Sequence, residues 1–262
     1  MKKDLITSVI KKSIRLIKPL RLIRKAIKYI KPLNYNLITY PNDLETIKNS
    51  KSLNIEIEVI AVAYKRLDEL KIFVQSWLNQ TESNWTLTVI HDGFNENFIK
   101  IMEGFSEESP KKIRYKCTKI RHNDYGHSLR EIGLKGASGD FVLITNADNY
   151  YIPKALKFIN DAIEWASSLN KFPDVLIFDM VHSHSNPGNR KSLSYSYFKV
   201  QYERNRIDIG AAIVSTSLAR MAGFQDKSYS ADASYFEKVG KKIVGGGKLK
   251  IVKIPRILFV HN

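Results

Sequence analysis

The chain has a single cysteine, Cys117, among 262 residues. That excludes an intrachain disulfide and fits a reducing compartment. No apolar run reaches the roughly 20 residues that a membrane-spanning helix needs. The basic amino terminus lacks a clean apolar stretch followed by a small-residue cleavage site, so it does not read as a secretory signal. Neither GxGxxG nor GxxxxGK[ST] occurs, which argues against dinucleotide and P-loop sites, and "VGGGKLK" near the end reads as a turn. Acidic residues are scarce: 26 Asp and Glu stand against 42 Lys and Arg, for a net charge of +16.

That charge is unevenly spread. Residues 1–34 carry eleven Lys or Arg and one acid, Asp4, and so hold +10 of the total. Ile6, Val9, Ile10, Ile14, Ile17, Leu20, Ile23, Ile27 and Ile30 recur at steps of three and four, which draws one apolar stripe on a helix. Pro19 breaks or kinks that helix and Pro32 ends it. A basic amphipathic helix of this kind is suited to lie on an anionic membrane surface. Its alternatives are packing on its own domain or on a second copy in a homo-oligomer, and nucleic-acid binding. The last is disfavoured because Tyr29 is the only aromatic residue before Pro32. Residues 35–54 read as a polar connector with some local helix.

From residue 55 to 262 the pattern alternates. "IEIEVIAVAY", "WTLTVIHDG", "KIRYKCTKI", "GDFVLIT" and "DVLIFDMV" read as strands. Between them "LDELKIFVQSWLNQ", "NENFIKIMEGF", "GHSLREIGLKGA" and "PKALKFINDAIEWASSL" read as helices, the first burying Leu70, Phe73, Val74 and Trp77 on one face. Pro153 stands where the last of these helices begins and a missing N–H costs least. Alternation of this kind predicts an α/β fold with a mostly parallel sheet. In such sheets ligands bind beyond the carboxyl ends of the strands, which directs attention to Ala63-Tyr64-Lys65-Arg66, His91-Asp92-Gly93, Arg121-His122-Asn123 and Asn146-Ala147-Asp148-Asn149. Residues 182–209 are polar and aromatic without clear periodicity, as functional loops often are. His182 and His184 share a face there, as loop polarity more readily than as a metal pair. "LKIVKIPRILFVHN" closes the chain as one or two strands.

Three blocks then carry a resemblance. "VIAVAYKRLDELKIFVQSWLNQTESNWTLTVIHDG" is similar to an opening strand, a helix ending in S-x-L-x-Q-T, and a strand ending in Asp-Gly. "NDYGHSLREIGLKGASGDFVLITNAD" is similar to an Asn…Gly…Arg helix followed by the strand that carries a D-x-D signature. "GFQDKSYSADASYF" is similar to a Gly-Phe…Asp segment. In this order, across roughly 200 residues, the blocks resemble the family 2 glycosyltransferases with the GT-A nucleotide-sugar fold.

The resemblance implies transfer of a sugar, with inversion, from a nucleotide-diphosphate sugar, by default a UDP-sugar. The acceptor would be a hydroxyl of a lipid-linked or polysaccharide glycan in bacterial surface-polysaccharide assembly. It places Ala63, Tyr64, Arg66, Asp92, Asn123, Arg130, Asn146, Ala147 and Asp148 around the donor. Asp232 falls at the catalytic base, Asp208, Gly210 and Ala211 at the acceptor, and Asp148 with His261 at a divalent metal, Mn²⁺ or Mg²⁺. The chemistry asks for the same parts: a departing diphosphate needs a cation or hydrogen-bond donors, and the attacking hydroxyl needs a base. Two departures stand out. Asn146 occupies the first acid position of D-x-D, and Ala231 occupies the acid position that precedes the base. They leave open a catalytically weakened sugar-binding or scaffold protein. The expected location is cytoplasmic, peripheral on the inner face of the cytoplasmic membrane.

Overall fold

A computed structural model describes residues 35–42, 53–182, 195–241 and 247–262. The basic segment 1–34 with its membrane expectation, half of the connector, His184 and the first three residues of "VGGGKLK" lie outside these residues.

The elements run in the order β1 (Tyr35–Thr39), β2 (Ile57–Ala63), α1 (Leu67–Leu78), β3 (Trp85–His91), α2 (Glu96–Glu108), β4 (Ile113–Cys117), α3 (His127–Gly136), β5 (Phe141–Asn146), β6 (Tyr150–Tyr151), α4 (Ala155–Ser168), β7 (Val175–His182), β8 (Ser196–Phe198), β9 (Ala212–Ser215), α5 (Thr216–Ala222), α6 (Ala231–Lys241) and β10 (Leu249–His261). A short 3-10 turn at Ile209–Ala211 precedes β9. The sheet order is β1-β10-β7-β9-β5-β2-β3-β4, with β6 on β10 and β8 on β7. β2 pairs in parallel with β3 and β5, and β4 continues the parallel block beyond β3. β9 runs antiparallel between β5 and β7 and joins this block to the parallel group β7, β10 and β1. The expected mixed, mostly parallel α/β sheet is therefore present.

The helices form where the apolar stripe dictates. α1 buries Leu70, Phe73, Val74 and Trp77, the four residues its periodicity selects. Burying each such side chain contributes about 1.5–3 kcal/mol. α2 is capped by Asn95, whose side chain accepts from the N–H of Phe98 at 2.9 Å. α3 lies close on β2: a Cβ added at Gly133 would sit 2.3 Å from Ile60 Cγ2, so only glycine permits that approach. β2 and β5 are buried on both faces, in keeping with continuous apolar runs rather than alternation.

Two expectations change and a third narrows. Within the expected connector, Tyr35–Thr39 forms a strand in register with Leu249–Lys253 of β10, and Tyr40 beyond it is buried against Trp165. The compact unit therefore begins at Tyr35 rather than at residue 55. Five residues give too short a period-2 signal, and their partner lies some 210 positions away. The expected loop from 182 contains β8, an antiparallel addition to the end of β7. The closing segment is one 13-residue strand, with irregular register around Pro255 and Ile257. Among the described residues no helix is long and apolar enough to cross a membrane.

Candidate active site

The carboxyl ends of β2, β3 and β5 lie side by side because the strands are parallel: Ala63 pairs with His91, and Val62 with Asn146. Backbone bonds extend the pairing past the strands, from Asp92 N to Ala63 O at 3.0 Å and from Ala147 N to Val62 O at 2.9 Å. Beyond these ends opens a cavity of about 380 Å³, a volume within the usual range for small-molecule sites.

Eight of the nine expected donor residues line it: Ala63, Tyr64, Arg66, Asp92, Asn123, Asn146, Ala147 and Asp148. Lys65 and Arg121, at the strand ends singled out above, line it too, as do Tyr125 and Gly126; none of the four was expected at the donor. Gly126 adopts φ +82, and a Cβ there would meet Val62 at 2.8 Å. Lys65, Arg66, Asn123 and Tyr125 also have positive φ, at 57°, 34°, 54° and 59°. Non-glycine residues in that region are strained, and such strain concentrates at functional sites. No pattern of residue types marks it in the sequence.

Asp92 is nearly buried and organises the adjoining loop: its two oxygens accept from the N–H groups of His122 at 2.7 Å and Asn123 at 3.1 Å. A carboxylate retains further lone pairs for a ligand. Beside it the Arg121 guanidinium lies 4.0 Å from the centre of the Tyr64 ring.

Asp148 is held differently. Its Oδ2 accepts from Arg66 Nη1 at 2.5 Å, whereas its Oδ1 is buried without a hydrogen-bond partner. Burial raises its pKa above the ordinary carboxylate value, and Arg66 opposes that rise. The Asn262 side chain donates to Asp148 O at 2.8 Å, and Asn262 N donates to Asn149 Oδ1 at 3.3 Å. These bonds dock the end of β10 on the strand tip and bring His261 near enough to act electrostatically on Asp148. His261 Nδ1 lies 3.6 Å from Asp208 Oδ2. Asn149 thus has a structural task.

Asn146 is held by Arg130, whose Nη2 donates to its Oδ1 at 2.8 Å. Arg130 is buried on α3, does not line the cavity, and reaches across to Asp232, with Nη1 3.4 Å from Oδ1. The same Nη1 donates to His127 Nδ1 at 2.7 Å, while its Nε is buried and unpartnered. Because Arg only donates, His127 Nδ1 accepts, and Nε2 carries the proton it gives to Ser228 O at 3.0 Å. Burial, followed by the Arg130 charge, pushes the His127 pKa down and keeps the ring neutral.

Asp232 stands in the first turn of α6 with its side chain about one-third exposed, at 32%. Burial raises its pKa. Arg130 opposes the rise, Asp208 adds to it, and His261 opposes it. Asp232, Asp208, His261 and Asp148 therefore form one electrostatic cluster. Of the expected acceptor residues only Asp208 belongs to it. Gly210 and Ala211 are a correction: they are buried in the 3-10 turn that Asp208 caps, and the Gly210 carbonyl accepts from the Tyr151 hydroxyl at 2.7 Å. Facing the core, they offer no surface to an acceptor.

For a divalent ion, no set of three or more His, Cys, Asp and Glu side chains converges among the described residues. Asp148 Oδ1 nevertheless fits one: a buried acceptor without a partner is in the condition of an oxygen kept for a cation. A hard ion of this kind often takes one or two carboxylates and draws its remaining ligands from substrate phosphates and water.

Residues 58–221 match the model of Glycosyl transferase family 2. The chain belongs to this family. Over 223 residues it is 25% identical to an uncharacterized glycosyltransferase of Haemophilus influenzae, covering 74% of this chain and 83% of that one. It spans about half or less of the length of other curated relatives it matches. Among solved structures, it is similar to Staphylococcus aureus TarS 1–349 in complex with UDP-GlcNAc, with TM-score 0.60 and 17% identity over 79% of this chain and 58% of that one. It is also similar to the mannosyltransferase PcManGT of Pyrobaculum calidifontis in complex with GDP-Man and Mn²⁺, with TM-score 0.57 and 14% identity over 95% and 66%. These structural likenesses place the sheet among GT-A folds.

Proposed function

We propose that this glycosyltransferase moves a sugar from a UDP-sugar to a glycan hydroxyl by direct, inverting displacement, with Asp232 as the base. The carrying observation is a cavity lined by Tyr64, Asp92, Asn146 and Asp148 with its unpartnered oxygen, in whose wall Asn146 is joined through Arg130 to Asp232. UDP-GlcNAc in TarS supports a uridine donor, and the aromatic face of Tyr64 beside Asp92 is suited to a base.

In this reading Tyr64 and Asp92 hold the base. Arg66, which lines the cavity, offers positive charge to the diphosphate as its negative charge grows. Asp148 and His261 would hold a divalent ion, which supplies Lewis-acid stabilisation of the leaving group when bound. Asp232, with its raised pKa, removes the proton of the attacking hydroxyl more readily than an ordinary carboxylate would. Once ionised it remains beside Arg130, which stabilises its charge.

Nucleotides and nucleotide-sugars tested for thermal stabilisation and slow donor hydrolysis, with and without Mn²⁺, check this. UDP is expected to raise Tm and a UDP-sugar to be hydrolysed with Mn²⁺. No response to any nucleotide at millimolar concentration would overturn the donor assignment.

The basic, apolar-striped segment 1–34 further suggests docking on the inner face of the cytoplasmic membrane, close to a lipid-linked glycan of surface-polysaccharide assembly. Co-sedimentation with anionic vesicles tests it. Equal binding by the full chain and by a chain lacking residues 1–34 would remove the idea.

A further inference from the structure

Two of the most exposed aromatic rings stand together, and the loop that carries Tyr229 leads into α6, whose first turn holds Asp232. Tyr125 is 65% exposed and Tyr229 is 80% exposed. Their ring centres are 5.7 Å apart and their planes meet at 78°. Isolated exposed rings are common, but a paired, fixed set at the mouth of a site marks a contact surface. The pair is fixed from beneath. Tyr125 O accepts at 3.3 Å from Arg130 Nη1, the nitrogen that faces Asp232. Next to Tyr229, Ser228 O is held by His127 Nε2 at 3.0 Å. Ser228 N donates to Asp226 Oδ1 at 2.9 Å, and Ser234 Oγ on α6 donates to Asp226 Oδ2 at 2.7 Å. The backbone at Tyr125 and next to Tyr229 is thus tied to Arg130, which faces Asp232, and to its partner His127. Tyr125 also lines the donor cavity, on its positive-φ backbone.

We propose that Tyr125 and Tyr229 form the platform for the acceptor's pyranose ring, and that the acceptor is therefore a sugar rather than a polyol phosphate. The inference rests on Asp232 as the base. A pyranose presents an apolar face of C–H bonds, which are polarised positive and are drawn to the negative face of an aromatic ring. Two exposed rings near a right angle make a corner: one receives the flat of the sugar and the other borders its edge. Their hydroxyls add donors and acceptors for the sugar's own hydroxyls. A linear polyol phosphate has no such flat face, and its charge would ask for a cluster of cations. The aromatic surface near Asp92 is separate, because Tyr64 sits there with Arg121 over its face. Tyr64 thus serves the cavity beside Asp92, while the Tyr125–Tyr229 pair stands at the edge where Tyr125 borders that cavity.

The test is saturation-transfer NMR on the full chain with UDP and Mn²⁺ present. The probes are methyl glycosides of glucose, galactose and N-acetylglucosamine, against ribitol 5-phosphate and glycerol 3-phosphate. At least one pyranoside is expected to receive saturation at its ring C–H protons. That signal should fall about threefold to tenfold in Tyr229→Ala and persist in Tyr229→Phe. The high exposure of Tyr229 makes loss of the fold an implausible cause, and the phenylalanine variant controls for it. The proposal is overturned if no pyranoside responds although UDP still raises Tm. Equal signals in Tyr229→Ala, or a preference for the polyol phosphates, would overturn it as well. A Tyr229-dependent pyranoside signal in a protein that UDP fails to stabilise would support the platform and count against the donor assignment.

Discussion

Asp148 and Asp232 each face an arginine, yet the two pairs are built for different work. Asp148 is held against Arg66 at 2.5 Å, with one oxygen buried and spare. Both residues stand at strand ends in the regular parallel block. Asp232 stands 3.4 Å from an Arg130 that it shares with Asn146 and His127, and it is one-third open to solvent. The first arrangement fixes an acceptor atom for a ligand. The second leaves a carboxylate loosely restrained, raised in pKa by burial and reachable from outside. A base must exchange its proton, whereas a binding carboxylate must stay where it is. Tight pairing suits the second task and hinders the first.

Breaking this contrast at Asp232, the proposed base, has the largest expected effect. Asp232→Asn keeps the shape but removes the proton acceptor, so the transfer rate should fall about 10²- to 10⁴-fold, with the response to UDP retained. The wild-type rate should rise with pH through the raised Asp232 pKa, since only the ionised form accepts a proton, and the residual rate of the variant should lack that limb. A pH–rate profile of both proteins checks this. An unchanged rate would place the base elsewhere.

Asn146→Asp sharpens the contrast with a smaller effect. An acid at this position would engage Arg130 as a full ion pair and draw its charge away from Asp232. Arg130 holds the Asp232 pKa down, so the acid limb should move to higher pH, by about one unit or less. A limb that stays in place would mean that Arg130 does not govern the base. The neutral Asn146 would then be a departure from the family pattern with no effect on proton transfer.

The parallel half was readable from the chain and the other half was not, for a physical reason. β2, α1, β3, α2, β4, α3 and β5 follow one another, and neighbours in sequence are largely neighbours in space. Apolar period and strand ends alone therefore located Ala63, Asp92, Asn146 and Asp148. In the second half, partners are far apart. β1 pairs with β10 across the whole domain, and β9 is inserted antiparallel between β5 and β7. Such contacts leave no local pattern, so Tyr35–Thr39 read as connector and Gly210 and Ala211 read as acceptor surface. Strand ends also pointed to Lys65 and Arg121, whereas Tyr125 was missed because backbone conformation and a neighbouring loop, rather than residue type, turn it toward the cavity.

By itself the sequence determined the α/β alternation, the family's three blocks in order, and Asp148 and Asp232 as acids worth following. It also determined that position 146 is neutral. Only the tertiary structure decided what that neutrality does: the Asn146 carbonyl is bound by Arg130, and the same guanidinium faces Asp232 from a helix more than 100 residues earlier. The reason is that charge acts through space. Composition and spacing say which charges exist, and the fold alone says which of them are close enough to matter.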